Sequence, residues 1–414
     1  MKAEIVCIGT ELLLGQILDT NAAFLAEELA GLGIDLYHKL TVGDNLERIV
    51  AALRQAWQRA DLLILSGGLG PTQDDLTREA VAALLGEELT PRQAAWEQIV
   101  AYFHKMDRPY PESNRRQALF PASGQVIANS FGTAPALWVE REGRVLVALP
   151  GVPYELKGIW NESVRERLGR ILAAEGNPLL TSRTIRMVGI GESAMEEQVI
   201  DLIAAQSNPT IAPYAGRGEV SLRITAKGFR EDENWRLIDA LTEKVRARLG
   251  GYIYGYDQDN LETAIGRLLR ERGWRLALAE SCTGGLMAHR ITNVAGSSDY
   301  YLGGVNSYSN ELKMAVLGVP ESTLAEHGAV SPETARAMAA GIRRLTGAEV
   351  GLSATGIAGP GGGTAEKPVG LVYLGVDLPG YSQVERRIFP LDRIGNKESA
   401  AQAGLALLWQ ALRS

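Results

Sequence analysis

Residues 61–66 read Asp-Leu-Leu-Ile-Leu-Ser, an apolar run unbroken on either face. A strand with one wet face alternates apolar and polar side chains. An unbroken run belongs to a strand covered on both sides, as in a parallel sheet flanked by helices. The neighbouring sequence extends that reading. Residues 4–9 and 36–42 form two further strand-like runs. Between them, Asn21 is placed to cap a helix with apolar positions at Phe24, Leu25, Leu29 and Leu32, and Asn45 opens another through Arg59. A further helix follows over 76–85. Strand and helix in alternation predict an α/β domain with a doubly wound parallel sheet over residues 1–170. Hairpin-like runs around Val126, Leu137 and Val145 are expected as additions at its edge. The segment Pro150-Gly151-Val152-Pro153 then starts a helix to about Leu168.

A chain of 414 residues is too long for one hydrophobic core. Residues 173–178 read as a linker into a small α+β module, 171–254, patterned strand, helix, hairpin, helix, strand. It has no Gly-x-x-Gly between two helices, so a nucleic-acid-binding KH reading has little support and a spacer is the expectation. Residues 255–414 pattern as an α/β sandwich that opens on an amphipathic helix over 261–272 and ends in a helix over 397–412.

Composition narrows the function classes. Apolar residues make up 46% and charged residues 22%, the profile of a globular chain, and no run is long enough for a membrane span. The N-terminus lacks the pattern of a signal peptide. Cys7 and Cys282 are the two cysteines, so a disulfide framework is excluded and a reducing cytoplasm is expected. A net charge of −7 without a basic stripe argues against direct nucleic-acid binding and favours small-molecule chemistry. Four histidines with no metal-ligand spacing argue against zinc. A homodimer is the base-rate expectation.

Three features of residues 255–414 carry chemistry. Ala279-Glu280-Ser281-Cys282-Thr283-Gly284-Gly285 stands where a strand ends and a helix begins, a turn suited to a nucleophile with an oxyanion hole or to a phosphate. Ser307-Tyr308-Ser309-Asn310-Glu311-Leu312-Lys313 follows a second strand, and a glycine loop over 354–363 follows a third. Any one of these alone is ordinary turn chemistry. Three at strand carboxyl ends predict a shared site. Ser281 and Cys282 are adjacent and cannot both enter it. A catalytic cysteine wants a histidine, and His289 and His327 both read as structural. A serine can use a lysine of lowered pKa, and Lys313 is the only lysine near the glycine loops apart from Lys367. Spacing leaves Lys313 evenly balanced between that role and a solvated helix residue.

The N-terminal counterpart is Ser66-Gly67-Gly68-Leu69-Gly70-Pro71-Thr72-Gln73-Asp74-Asp75, between a buried strand and a helix. Gly67, Gly68, Gly70 and Thr72 suit close approach to a phosphate. Asp74 and Asp75 would repel one unless Mg²⁺ or another divalent cation bridged them. The alternative is that one or both aspartates cap the helix.

AESCTGG, SYSNELKMAVLGV, HGAVS and ATGIAGPGGGTAEKPVGLVY resemble the PncC-type nicotinamide-nucleotide amidohydrolase domain of the CinA family. IGTELLLGQILDTN and SGGLGPTQDD resemble that family's molybdopterin-binding-like domain, and the resemblance spans essentially the whole chain. It implies hydrolysis of nicotinamide mononucleotide to the acid and ammonia through an acyl-enzyme, with no cofactor. Ser281 would be the nucleophile, Lys313 the base and Tyr308 the residue that tunes the pair. Thr355, with first-loop amides, would hold the oxyanion. Thr283, Gly284, Gly285, Ser298, Gly356, Gly359 and Arg393 would line the substrate site, Arg393 as a phosphate-binding arginine. For the N-terminal domain it implies metal-dependent cleavage of ADP-ribose, with Glu11, Asn21, Asp44 and Asn129 as pocket candidates. The alternatives are a non-catalytic pterin- or nucleotide-binding domain, and a competence factor acting through protein partners.

Overall fold

Leu62 and Ile64 pack into one apolar cluster with Ile5, Leu25, Leu29 and Trp160, while Leu63 and Leu65 pack into another with Val6, Ile49, Leu53 and Val81. The computed structural model, which describes every residue except Glu175, Asn177, Arg217 and Ser414, thus buries both faces of this strand. It divides into two compact units, Met1–Thr181 with Lys227–Trp235, and Ser182–Ala226 with Arg236–Ser414. The expected linker over 173–178 includes two residues, Glu175 and Asn177, that lie outside the described ones.

The first unit contains β1 (Lys2–Ile8), β2 (Asp35–Val42), β3 (Leu62–Ser66), β4 (Leu89–Pro91), β5 (Leu119–Pro121), β6 (Gln125–Ile127), β7 (Ala136–Arg141) and β8 (Arg144–Leu149). The main sheet runs β2-β1-β3-β8-β7-β6, and β4 and β5 form a separate ribbon. Strands β2, β1, β3 and β8 are parallel, and β7 and β6 are antiparallel additions. The expectation that the Val145 run belongs to the edge is therefore corrected. Leu62 faces Val145 and Ser66 faces Leu149, because the second arm of the hairpin is apolar throughout and takes the central place. Helix capping needs a second correction. Asp19, not Asn21, caps Thr20–Gly31 by accepting from the Ala22 amide at 2.9 Å. Asn45 does cap Leu46–Arg59.

The second unit holds β9 (Leu179–Met187, shared at its start with the first), β10 (Thr210–Gly216), β11 (Glu219–Gly228) and β12 (Ile253–Tyr256) in the order β10-β11-β9-β12. It continues with β13 (Leu276–Glu280), β14 (Tyr301–Asn306), β15 (Val350–Gly356), β16 (Leu371–Leu378) and β17 (Tyr381–Ile388), ordered β14-β13-β15-β16-β17. Strands β14, β13 and β15 are parallel, so the loops after them emerge at one edge. One face of this sheet packs Leu278, Leu352 and Leu374 against Leu405 and Leu408, and the other packs Ala277 and Ala279 against Met338 and Ile342. The last helix, Arg393–Ala411, starts one turn earlier than the sequence suggests, with Asp392 accepting from the Gly395 amide as its cap. Among the described residues, no helix is long and apolar enough to cross a membrane.

Candidate active site

Two backbone bonds lock the carboxyl ends of β13, β14 and β15 together: Ser281 N–H donates to Ala354 at 2.9 Å, and Ser307 N–H donates to Glu280 at 2.8 Å. The three loops singled out in the sequence thereby converge. Lys313, on helix Asn310–Leu317, reaches back to this point. Its side chain is 1% exposed and Ser281 is 9% exposed. Lys313 Nζ lies 3.2 Å from Ser281 Oγ, 2.7 Å from Ser307 O and 3.5 Å from Tyr308 O. Among the described residues it makes no ion pair. Burial alone pushes its amine below the ordinary lysine range, because the ammonium form loses its hydration without gaining a carboxylate. A neutral amine has two protons for the two carbonyls and a lone pair left for the Ser281 hydroxyl.

Cys282 is buried, and burial pushes its thiol up to about 12, which removes the thiolate from neutral solution. His289 is exposed and turned to Asn293, and His327 lies near Glu326 and Glu333. Lys367 is spent on the His327 carbonyl at 2.7 Å.

Glu280 has a role that sequence reading missed. Its buried carboxylate accepts from the amides of Gly285, Met287 and Ala288 at 2.8–3.2 Å, closing the start of helix Leu286–Thr292. These first-loop amides are not available to an oxyanion. Thr355 also departs from its expected part. It is buried, and its hydroxyl donates to Ala329 O at 2.6 Å, so its one proton is committed to the segment over 327–331.

Ser298 is the clearest correction. It is exposed in the turn Ser297–Asp299 before β14, at the opposite end of that strand from Ser307, and so lies away from the site. Arg393 does come to it. Its guanidinium donates to Gly359 O and to Tyr308 Oη, the latter at 3.2 Å, tying the third loop to the second. Tyr308 is itself 67% exposed and roofs the edge without touching Lys313 through its hydroxyl. Gly356 is packed against Leu371 and Val372 of the neighbouring strand. Lys397, one helical turn beyond Arg393, is a lysine that sequence reading left out. Its Nζ stands 3.5 Å from where a β-carbon on Gly284 would be. The displaced helix start hid this, since it puts Arg393 and Lys397 at i and i+4 on one face. Thr283, Gly284, Gly285 and Lys397 line a cavity of about 310 Å³.

In the first unit, loop 67–75 also leaves the carboxyl end of its parallel strand. Gly67 has φ 102°, and a β-carbon there would stand 2.2 Å from Ile8 O, so only glycine fits between β3 and β1. Buried Thr77 and Arg78 hold the loop through the carbonyls of Gly67 and Leu69 at 2.7 and 2.8 Å. Asn21 donates to Ser66 Oγ at 3.0 Å and Gly151 O at 2.8 Å, joining the loop to the end of β8.

The expected metal ligands do not fit a metal. Both Asp75 oxygens are taken, by the amides of Gly70 and Thr72 at 2.8 Å and by the Thr72 hydroxyl, so Asp75 locks the loop shut on itself. Asp74 is exposed. Among the described residues, no group of three acidic, histidine or cysteine side chains could hold an ion. Asp44 is likewise engaged, accepting from the Thr10 amide, while Glu11 is exposed. Asn129 is not on the phosphate loop. It is buried and donates to Glu155 at 2.6 Å, and burial raises that carboxyl.

Comparison with known proteins fits this division. Residues 4–170 match the family described as probable molybdopterin binding domain, 182–255 the damage-inducible protein CinA KH domain, and 258–412 the CinA C-terminal domain. The second match corrects the expectation that a KH reading has little support, although the Gly-x-x-Gly signal is absent from the sequence of the module. A putative competence-damage inducible protein of Moorella thermoacetica is 50% identical over 415 residues, covering 100% of this chain and 99% of its own. A CinA-like protein of Kosmotoga olearia is 45% identical over 412 residues, covering 100% of this chain and 99% of its own. A solved structure of CinA from Thermoplasma acidophilum is 33% identical, covers 40% of this chain and 96% of its own, and superposes with a TM-score of 0.38. With all three modules matched in order and full-length relatives at this identity, the chain belongs to the CinA family.

Proposed function

We propose that the C-terminal domain hydrolyses the carboxamide of nicotinamide mononucleotide, giving nicotinate mononucleotide and ammonia. The observation that carries this is the Lys313 amine, buried without a counter-ion among the described residues and 3.2 Å from the Ser281 hydroxyl. Ser281 Oγ attacks the carboxamide carbon while its proton passes to Lys313 Nζ. Collapse breaks the C–N bond, Lys313 returns the proton to the departing nitrogen, and ammonia leaves an ester on Ser281. Water then attacks the ester, again losing its proton to Lys313; collapse breaks the carbon–Oγ bond, Lys313 returns the proton to Ser281 Oγ, and the acid is released. Each step uses groups of this chain alone.

The test is incubation with nicotinamide mononucleotide, followed by chromatography of the nucleotide and assay of ammonia. Ser281→Ala should lose the activity, whereas Cys282→Ala should keep most of it. Activity surviving in Ser281→Ala and absent in Cys282→Ala would reverse the assignment of the nucleophile. For the N-terminal domain, the closed Asp75 ring favours binding of a phosphorylated nucleotide or pterin over cleavage dependent on a metal held by the loop. Release of phosphate products from ADP-ribose, abolished by chelator and by Asp75→Asn, would overturn that reading.

A further inference from the structure

We infer that Lys397, rather than Arg393, takes the 5′-phosphate of the substrate, in the cavity that opens two residues beyond the nucleophile. This rests on the deamidase reading above and adds to it the group that selects a nucleotide over a nucleoside.

The cavity of about 310 Å³ is bounded by Thr283, Gly284, Gly285, Ile394 and Lys397. Phosphate charge there has to be met by a side chain. Helix Leu286–Thr292 offers nothing, because Glu280 already occupies the amides of Gly285, Met287 and Ala288. Lys397 is half-buried against Gly284, whose missing β-carbon leaves room for the ammonium, and among the described residues it makes no ion pair. Arg393 is placed differently: its guanidinium donates to Gly359 O and Tyr308 Oη. Its guanidinium joins two loops, which makes it a positioning residue for Tyr308.

A second observation points to a ligand independently. Thr283 is fully buried, and among the described residues its hydroxyl has no hydrogen-bond partner. A buried hydroxyl left unpaired costs free energy, and a phosphate oxygen entering the cavity would satisfy it. Glu398 lines the same cavity, so the site's preference for an anion depends on Lys397. The mobile, point-like charge of a lysine suits a phosphate that is not held bidentately.

The experiment compares nicotinamide mononucleotide with nicotinamide riboside, its dephosphorylated form, on the full chain and its variants. Lys397→Gln should raise KM for the nucleotide by about 10- to 100-fold, the range for one charged hydrogen bond, with a much smaller change in kcat. The preference for nucleotide over riboside should collapse in Lys397→Gln and return in Lys397→Arg. Arg393→Gln should instead lower kcat and keep the preference. Titration calorimetry with ribose 5-phosphate supplies a readout independent of turnover: Lys397→Gln should lose one binding event that the unaltered chain and Arg393→Gln retain. If ribose 5-phosphate shows that pattern but neither substrate is deamidated by the unaltered chain, the deamidase reading fails and the phosphate subsite stands. If Lys397→Gln keeps its KM and its binding event, or if Arg393→Gln is the variant that loses them, the inference is overturned.

Discussion

Lys313 is the residue on which the chemistry turns, and its protonation has a direction that can be measured. With its amine held below the usual lysine range by burial, the neutral form that accepts a proton predominates from a lower pH than in free lysine. Acylation should therefore rise with pH through this lowered value and level off above it. The linked stability has the same sign. Between the lowered native value and the ordinary one the unfolded chain binds the proton more readily, so this contribution to stability grows with pH and is lost as pH falls. Lys313→Arg keeps a cation that cannot accept a proton, and acylation should drop at least about a hundredfold across the whole range. Lys313→Met should be equally inactive yet lose this part of the pH dependence in urea unfolding. An arginine variant with near-normal turnover would remove Lys313 from the mechanism.

Among the elements, the turn from β13 into helix Leu286–Thr292 does most to shape the site. A strand that must deliver a nucleophile leaves the helix after it with free amides at its start. Glu280 answers them with two oxygens, Oε2 for Gly285 and Met287 and Oε1 for Ala288. Glu280→Gln keeps the shape but turns an amide N–H toward one of those donors. It should cost about 1–3 kcal/mol in urea unfolding, the range for a buried group left unsatisfied. Deamidation should fall with it, because Ser281 and Thr283 ride on the same turn. Unchanged unfolding would mean that the loop holds its shape without the carboxylate.

For the whole molecule, the middle and C-terminal modules fall in one compact unit, while the family matches part near residue 255 as the sequence pattern does. Sequence patterning draws a boundary near residue 255 and makes 255–414 self-sufficient. In the second unit, however, Tyr254 packs edge-on to Trp409 with ring centroids 6.5 Å apart, and Glu219 accepts from Gln402 at 2.9 Å. Arg413 also donates to Gly251 O at 2.8 Å, and Val188 belongs to the C-terminal core. A fragment of residues 256–414 should thus melt roughly 5 to 10 °C below one of residues 179–414, by the stability lost with these contacts. Both should still deamidate at low temperature, since Ser281 and Lys313 take part in none of these contacts. Equal melting would restore the boundary at residue 255.

Local sequence determined the parallel sheets. An unbroken apolar strand followed by a glycine turn and a helix has few ways to bury itself, and 62–66 and 276–280 both took the expected one. It also determined that three polar loops share an edge, because strands that are parallel end together. Partners that depend on which side chain fills which space came only with the tertiary structure. Asp75 reads as a metal ligand in sequence, yet folds back onto Gly70 and Thr72, whose amides the loop turns toward its carboxylate. Ser298 and Ser307 are nine residues apart, but a strand crossing the sheet sends them to opposite edges. The pairing of Ser281 with Lys313 spans 32 residues and is decided by how helix Asn310–Leu317 packs beneath its own loop. Periodicity records which face of an element is apolar; only the packed chain decides which polar group waits at its end.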